Sequence, residues 1–242
     1  MQDLTLVIPA KYEKESLPTF LKEISDFNCK KLVVLEQSDK ETIESIQNID
    51  GIEMLFQKKK GYGAAILEGI NFTKTDFFCI INADGSMNPV YLNEMLNNIK
   101  NKNLDFVFAS RYEKPGGGSD DDDIVTLVGN FFFTKIGNIF FSLKITDILY
   151  TYVLGKTNSF NSLNLNSNDF TLCVEFPIKA RRYGYNLGSL PSYERNRIGG
   201  KKKVNAFKDG LLILFKMIKL FFKRWKKKLL WYLELLDKMD HT

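Results

Sequence analysis

Short apolar runs that alternate with single helical segments predict an α/β protein whose central sheet is mainly parallel and flanked by helices. Two further observations agree. An apolar run, Phe77 to Ile81, ends abruptly in Asn82-Ala83-Asp84-Gly85-Ser86, and a basic, glycine-rich turn, Lys58 to Gly63, leads into a helix upstream of it. Ligands of open α/β sheets gather beyond the carboxyl ends of the strands. Glycines permit close backbone approach, and a helix N-terminus attracts anions.

The elements follow in order. Leu4 to Pro9 reads as an apolar strand stopped by proline, with a helix over Glu15 to Ile24. Leu32 to Leu35 is a second strand, followed by the polar turn Glu36-Gln37-Ser38-Asp39 and a helix over Lys40 to Ile46. Ile52 to Phe56 is a short third strand before the glycine turn and a helix through Ile70. The apolar run into Asp84 is the fourth, after which Pro89 to Ile99 is helical and Asp105 to Ala109 extended. Single-helix connections imply right-handed crossovers between parallel strands.

Composition bounds the alternatives. The 242 residues, 44% hydrophobic and 26% charged, describe a folded chain that buries one sizeable core. Cys29, Cys79 and Cys173 lie far apart with no C-x-x-C spacing, which argues against a zinc site or disulfide framework and for a reducing, cytoplasmic compartment. The chain opens directly into a strand, with no signal peptide expected before it. Its net charge of +5 is unevenly distributed: residues 201–242 hold 12 Lys/Arg against 4 Asp/Glu, and residues 1–200 hold 22 against 25. We therefore expect a domain over residues 1–205 and a basic helical tail over 206–242.

In that tail Phe207, Leu211, Leu214, Ile218, Phe221, Trp225 and Leu229 recur at steps of three and four, with Lys208, Lys216, Lys219, Lys223 and Lys227 on the other side. This spacing predicts a cationic amphipathic helix. Its longest uncharged run, Gly210 to Phe215, is far short of the roughly 20 residues needed to span a bilayer. The expectation is a peripheral anchor on the inner face of a membrane. The alternatives are packing on its own domain or nucleic-acid binding; the density of Leu, Ile, Phe and Trp favours lipid, and no nucleic-acid partner is expected.

The oxygen-rich cluster at Asp84 suits Mg²⁺ or Mn²⁺, which take few protein ligands and complete their shells with water and substrate phosphates. With the basic glycine turn it points to a nucleotide diphosphate substrate. The segments that carry these features resemble family 2 glycosyltransferases of the GT-A fold, and among them the polyprenol-phosphate sugar transferases, over most of residues 4–210. Val7-Ile8-Pro9-Ala10-Lys11-Tyr12-Glu13 is similar to the family's opening strand and nucleotide-contacting loop, and Lys60-Gly61-Tyr62-Gly63-Ala64-Ala65 to its donor-site turn. Asn82-Ala83-Asp84-Gly85 falls on the Asp-x-Asp metal motif, with Ser86 beside it, and Ala109-Ser110-Arg111-Tyr112 resembles the segment near the sugar and the acceptor phosphate. Tyr193 to Lys203 resembles the basic loop that closes over the pyrophosphate.

The resemblance implies a donor site of Pro9, Ala10, Glu13, Glu36, Lys60, Gly61, Gly63, Asn82, Ala83, Arg195, Arg197 and Lys201. It implies a metal held by Asp84, Asn82 and Ser86, and catalytic roles for Asp84, Arg111 and Asp147, the last orienting the donor sugar. Two departures stand out: Glu36 alone replaces a pair of acids after the second strand, and the first acid of the metal motif is the neutral Asn82. Asp122 and Asp123 either lie in a solvated acidic loop or border the site, and Glu175 either lines it or caps a helix.

The expected reaction is inverting transfer of a sugar from a GDP- or UDP-linked donor to polyprenyl phosphate, whose oxygen is already anionic. The alternative acceptor is a glycan or glycolipid hydroxyl, in which case Asp147, Asp123 or Glu175 takes the proton. The sole histidine, His241, stands next to the end of the sequence, which argues against histidine acid/base catalysis. A dinucleotide-binding dehydrogenase would want Gly-x-Gly-x-x-Gly after the first strand, where this chain has Pro9-Ala10-Lys11. A catalytically degenerate membrane adaptor is the non-enzyme alternative.

Overall fold

The computed structural model describes residues 1–200 and 205–239, with 224–239 as helical backbone. Seven strands form the main sheet in the order β3-β2-β1-β4-β7-β5-β8: β1 (Leu4–Ala10), β2 (Lys30–Leu35), β3 (Glu53–Phe56), β4 (Phe77–Ile80), β5 (Phe106–Ser110), β7 (Val153–Lys156) and β8 (Leu187–Pro191). All neighbours are parallel except β7, which runs antiparallel to both β4 and β5. Two short strands, β6 (Gly118–Ser119) and β9 (Tyr193–Glu194), pair beside it. Helix α1 (Leu17–Glu23) follows β1, α2 (Lys40–Ile46) follows β2, α3 (Tyr62–Phe72) follows β3, and α4 (Leu92–Asn101) follows β4. Then come α5 (Ile124–Phe141), α6 (Thr157–Asn161), α7 (Leu172–Arg182) and α8 (Ala206–Met239).

The alternation of β1 explains the two-sided core. Leu4, Leu6 and Ile8 face α1, α2 and α4, whereas Val7 joins the opposite cluster with residues of α3, α5, α6, α7 and α8. Each strand therefore contributes to two layers of helices, as period-two side-chain alternation demands. In register, Val7 pairs with Leu32 on one side and Ile80 on the other. The carboxyl ends of β1, β2, β4 and β5 consequently emerge at one edge, together with the start of β7.

The tail helix differs from its sequence expectation in register. Its packed stripe is Ile213, Met217 and Leu220, supported by Leu214 and Phe221, and it lies on α5 and α7. Phe207, Leu211 and Ile218 of the predicted apolar stripe are exposed instead, with Phe215 and Phe222. A 3.6-residue period identifies an apolar face but leaves its direction to tertiary packing.

Candidate active site

The strand ends open into a cleft of about 450 Å³. Its first bank comes from β1, β2, α3 and β4. Pro9, Ala10, Glu13, Glu36, Gly61, Asn82 and Ala83, expected at the donor, line it together with Asp84 and Ser86, expected at the metal. Backbone capture fixes the loop after β1: Tyr12 N–H donates to Asp39 Oδ2 (2.6 Å) and Glu13 N–H to Thr42 Oγ1 (3.0 Å). Lys11 Nζ holds Glu36 at 2.8 Å.

Asp84 is fixed through one carboxylate oxygen. Ser86 donates to Oδ1 from both its N–H (3.1 Å) and its Oγ (2.9 Å), while among the described residues Oδ2 meets only the long ion pair to Arg197 Nη1 at 3.8 Å. Asn82 Oδ1 accepts from the Tyr62 hydroxyl at 2.8 Å, which also bonds Thr151 Oγ1 at 2.6 Å. No cluster of three or more His, Cys, Asp or Glu side chains with metal-site geometry occurs among the described residues. One available carboxylate oxygen beside neutral oxygens nevertheless fits Mg²⁺ or Mn²⁺ held largely by substrate phosphates and water. Asp84 Oδ2 is the ligand such an ion would find, with Asn82 Oδ1 and Ser86 Oγ beside it already engaged in hydrogen bonds.

The glycine turn has a different local cause from the one the sequence implies. A Cβ on Gly61, whose φ is +114°, would stand 2.2 Å from the Asn168 carbonyl oxygen, and one on Gly63 2.4 Å from that of Ser167. These glycines admit the 167–169 segment, and Ala64 N–H donates to Asn168 O at 3.0 Å. Phe170 then stacks on Tyr62 with ring centroids 5.0 Å apart. Of the turn residues expected to meet the donor, Gly61 lines the cleft, whereas Lys60 and Gly63 do not.

The second bank centres on Arg111, which is buried. Asp147 grips it with Oδ2 to Nε at 2.7 Å and Oδ1 to Nη2 at 3.0 Å, and Oδ2 also accepts from the Arg111 N–H. Nη1 donates to Asp122 (2.8 Å) and Glu194 (3.1 Å). Burial opposes the guanidinium's charge, but the three carboxylates outweigh it and hold Arg111 protonated well above its ordinary range. Asp147 stands behind Arg111 and does not line the cleft, so its contact is with the arginine. Burial raises Glu194 above the usual carboxylate range despite Arg111 and Ser119.

The basic loop divides. Arg197 enters the cleft and pairs with Asp121, whereas Arg195 turns outward to Glu23 (2.7 Å) and the Gly85 carbonyl (2.7 Å), steadying the Asp84 turn from outside. Lys201 lies outside the described residues. In the acidic loop, Asp121 and Asp122 line the cleft, while Asp123 caps α5 by accepting from Thr126 N–H at 2.7 Å. Glu175 serves structure: its oxygens accept from Asn166 and Ser167 N–H and pair with Lys179 (2.8 Å) and Lys216 of α8 (3.2 Å). Burial would raise its pKa, but these partners bring it down to about 2. Sequence reasoning missed Tyr62, Tyr150, Thr151 and Glu194. Glu194, a lone acid inside a basic segment, was the detectable one.

Two helices with exposed apolar side chains border the cleft. Thr126 of α5 and Ile213 of α8 line it, and beyond them α5 exposes Ile124, Val128, Phe131 and Ile139, while α8 exposes Leu211, Phe215 and Phe222. Among the described residues α5 is the one helix long and apolar enough to cross a membrane by length and composition, yet only 28% of it is buried against the protein.

A mainly parallel sheet with one antiparallel strand, a carboxylate at the end of β4 and a cleft across the strand ends define a nucleotide-sugar transferase of the GT-A type. The chain belongs to glycosyl transferase family 2, whose pattern matches residues 5–163. It is 26% identical over 218 residues to uncharacterized glycosyltransferases of Mycobacterium bovis and Mycobacterium tuberculosis, covering 87% of this chain and 93% of each relative. Its fold is shared with glucosyl-3-phosphoglycerate synthase of Mycobacterium tuberculosis in complex with Mn²⁺, UDP and glucosyl-3-phosphoglycerate. That similarity has a TM-score of 0.68 at 12% identity and covers 90% of this chain and 79% of that one. The same synthase with Mg²⁺ and UDP gives a TM-score of 0.60 at 12% identity, covering 90% and 78%.

Proposed function

We propose that this glycosyltransferase moves a sugar, with inversion, from a GDP- or UDP-linked donor to a polyprenyl phosphate at a membrane surface. The observation that carries this reading is that the cleft at Asp84 is bordered by Thr126 of α5 and Ile213 of α8, two helices that expose large apolar side chains. A lipid phosphate needs both: a polar end for its headgroup and an apolar exit for its chain. The lysines of α8 favour an anionic leaflet, about 1 kcal/mol for each cation near the surface. Attachment to the cytoplasmic face of a membrane agrees with the three free cysteines.

The first bank binds the nucleotide, with Glu36 and the loop after β1 at its base and ribose. Asp84, with Asn82 and Ser86 beside it, would hold a divalent cation, which would supply charge neutralisation for the leaving diphosphate; the similar synthases were crystallised with Mn²⁺ or Mg²⁺ and UDP. Arg197 adds a guanidinium fork on the same side. An acceptor phosphate oxygen attacks the anomeric carbon as the bond to the nucleoside diphosphate breaks, and no proton need be removed. A second reading, transfer to a glycan or glycolipid hydroxyl, rests on Glu194, whose raised pKa suits a general base facing the cleft. Asp147, Asp123 and Glu175 are each committed elsewhere.

The test is nucleotide release from GDP- and UDP-sugars with Mn²⁺ or Mg²⁺, with and without a polyprenyl phosphate. Lipid-phosphate-dependent release that falls on the order of a hundredfold or more in Asp84→Ala is the expected result. Release that responds only to hydroxyl acceptors would replace this reading with the second.

A further inference from the structure

Among the described residues, two guanidinium groups are set among more carboxylates than they can pair one to one. Two guanidinium groups, Arg111 and Arg197, face Asp84, Asp121, Asp122, Asp147 and Glu194. These carboxylates are not equivalent. Asp147 is fully buried in a two-pronged grip and has nowhere to go. Asp121 and Asp122 instead sit on a short strap between β6 and α5, preceded by Gly116-Gly117-Gly118 and held by their N–H groups to Ser119 Oγ. From that strap Asp121 takes Arg197, and Asp122 takes both Arg111 Nη1 and the Tyr112 hydroxyl.

A second, independent feature marks the same spot as incomplete. Tyr150 is 4% exposed, its ring lies under Arg111 with the guanidinium 4.6 Å from the centroid, and its hydroxyl has no hydrogen-bond partner among the described residues. Tyr150 lines both this cleft and a small apolar cavity, but its charged neighbours Glu194, Arg111, Asp147 and Asp84 belong to the cleft side. A buried hydroxyl without a partner costs free energy that a ligand oxygen would recover.

We infer that Asp121 and Asp122 are built-in stand-ins for a substrate phosphate, occupying Arg197, Arg111 and Tyr112 until that phosphate displaces the strap and also takes the hydrogen bond from Tyr150. A phosphate monoester carries about −1.5 to −2 at neutral pH and three acceptor oxygens. Exchange for two carboxylates therefore leaves the local charge nearly unchanged, while adding an acceptor for Tyr150. A neutral hydroxyl makes a poorer exchange, because it returns no charge to Arg111 Nη1 or to Arg197 where the two aspartates leave them. The strap thus selects phosphate-bearing ligands. That the phosphate is an acceptor's rests on the proposed function; a donor diphosphate has the same chemistry.

Calorimetric titration of the full chain separates the sources, with inorganic phosphate, a short water-soluble isoprenyl monophosphate, and UDP or GDP as probes. Asp121→Asn and Asp122→Asn keep shape and remove charge, and Asp120→Asn, whose carboxylate bonds Tyr193 outside the cleft, controls for net charge alone. The expected result is about tenfold tighter phosphate binding in Asp121→Asn or Asp122→Asn, the size of one displaced charge-assisted hydrogen bond, with no change in Asp120→Asn. Tightening of the isoprenyl monophosphate assigns the strap to the acceptor, and tightening of the nucleotide alone assigns it to the donor. Either supports the stand-in. Unchanged or weaker binding of all probes, or equal tightening in Asp120→Asn, overturns it. Tightening toward inorganic phosphate in a protein that never turns over a lipid phosphate would retain the strap and discard the lipid acceptor.

Discussion

The two banks of the cleft are made by different physics. On the donor bank, Pro9, Glu36 and Asp84 stand at the ends of parallel strands, and neighbours close in sequence or on adjacent strands hold them: Asp39 and Thr42 capture the loop after β1, and Ser86 fixes Asp84. On the opposite bank Arg111 is held by Asp122, Asp147 and Glu194, partners from three separate segments, and the exit is walled by α5 and α8. The first bank is a consequence of the fold; the second is an ion-pair network laid over it. The family 2 match over residues 5–163 takes in the first bank together with Arg111, Asp122 and Asp147, and leaves Glu194 and α8 outside it.

The contrast breaks most sharply at Asp147. Removing one partner of a buried ion pair leaves an uncompensated charge, so Asp147→Ala should destabilise the fold by about 3–5 kcal/mol in denaturant unfolding. A loss under 1 kcal/mol would mean that Asp122 and Glu194 alone can hold Arg111.

A smaller effect is expected where the banks are joined. Glu175 ties Lys216 of α8 to the 166–167 backbone, and the adjoining 167–169 segment packs on the glycine turn of the donor bank. Glu175→Gln should cost about 1–3 kcal/mol near neutral pH. Because the folded pKa of about 2 lies below the ordinary 4.5, the carboxylate's contribution is complete above pH 4.5 and fades as pH falls toward 2. Unfolding curves of wild type and variant should accordingly converge across that window; a constant gap would assign the loss to packing.

The same division explains what the sequence made legible. The first five strands and the positions of Asp84, Glu36 and Gly61 follow from local patterns of apolar runs, their abrupt ends and a turn before a helix, whereas β7, β8 and the order of the sheet have no such local mark. Arg111 was visible as a residue, but its partners lie 11, 36 and 83 positions away, and nothing local marks such pairings. Arg195 and Arg197 look alike in sequence, yet of the two Arg197 enters the cleft, because Glu23 and the Gly85 carbonyl hold Arg195 outside it. The α8 pattern revealed an apolar helix and left open which stripe would pack. Exposure of α5 had no sequence signature either, since an 18-residue apolar helix reads equally well as core.

The central claim is that transfer needs the apolar exit as well as the strand-end floor. The most direct measurement compares transfer to polyprenyl phosphate in anionic vesicles, alongside donor affinity, for wild type and a Val128→Ser, Phe131→Ser variant of α5. Both side chains are more than half exposed, so their polar replacements should leave the fold and donor affinity intact. The account predicts a loss of vesicle binding and of transfer by about tenfold or more, given roughly 1.5–3 kcal/mol of burial per large apolar side chain. Undiminished transfer with normal vesicle binding would contradict it.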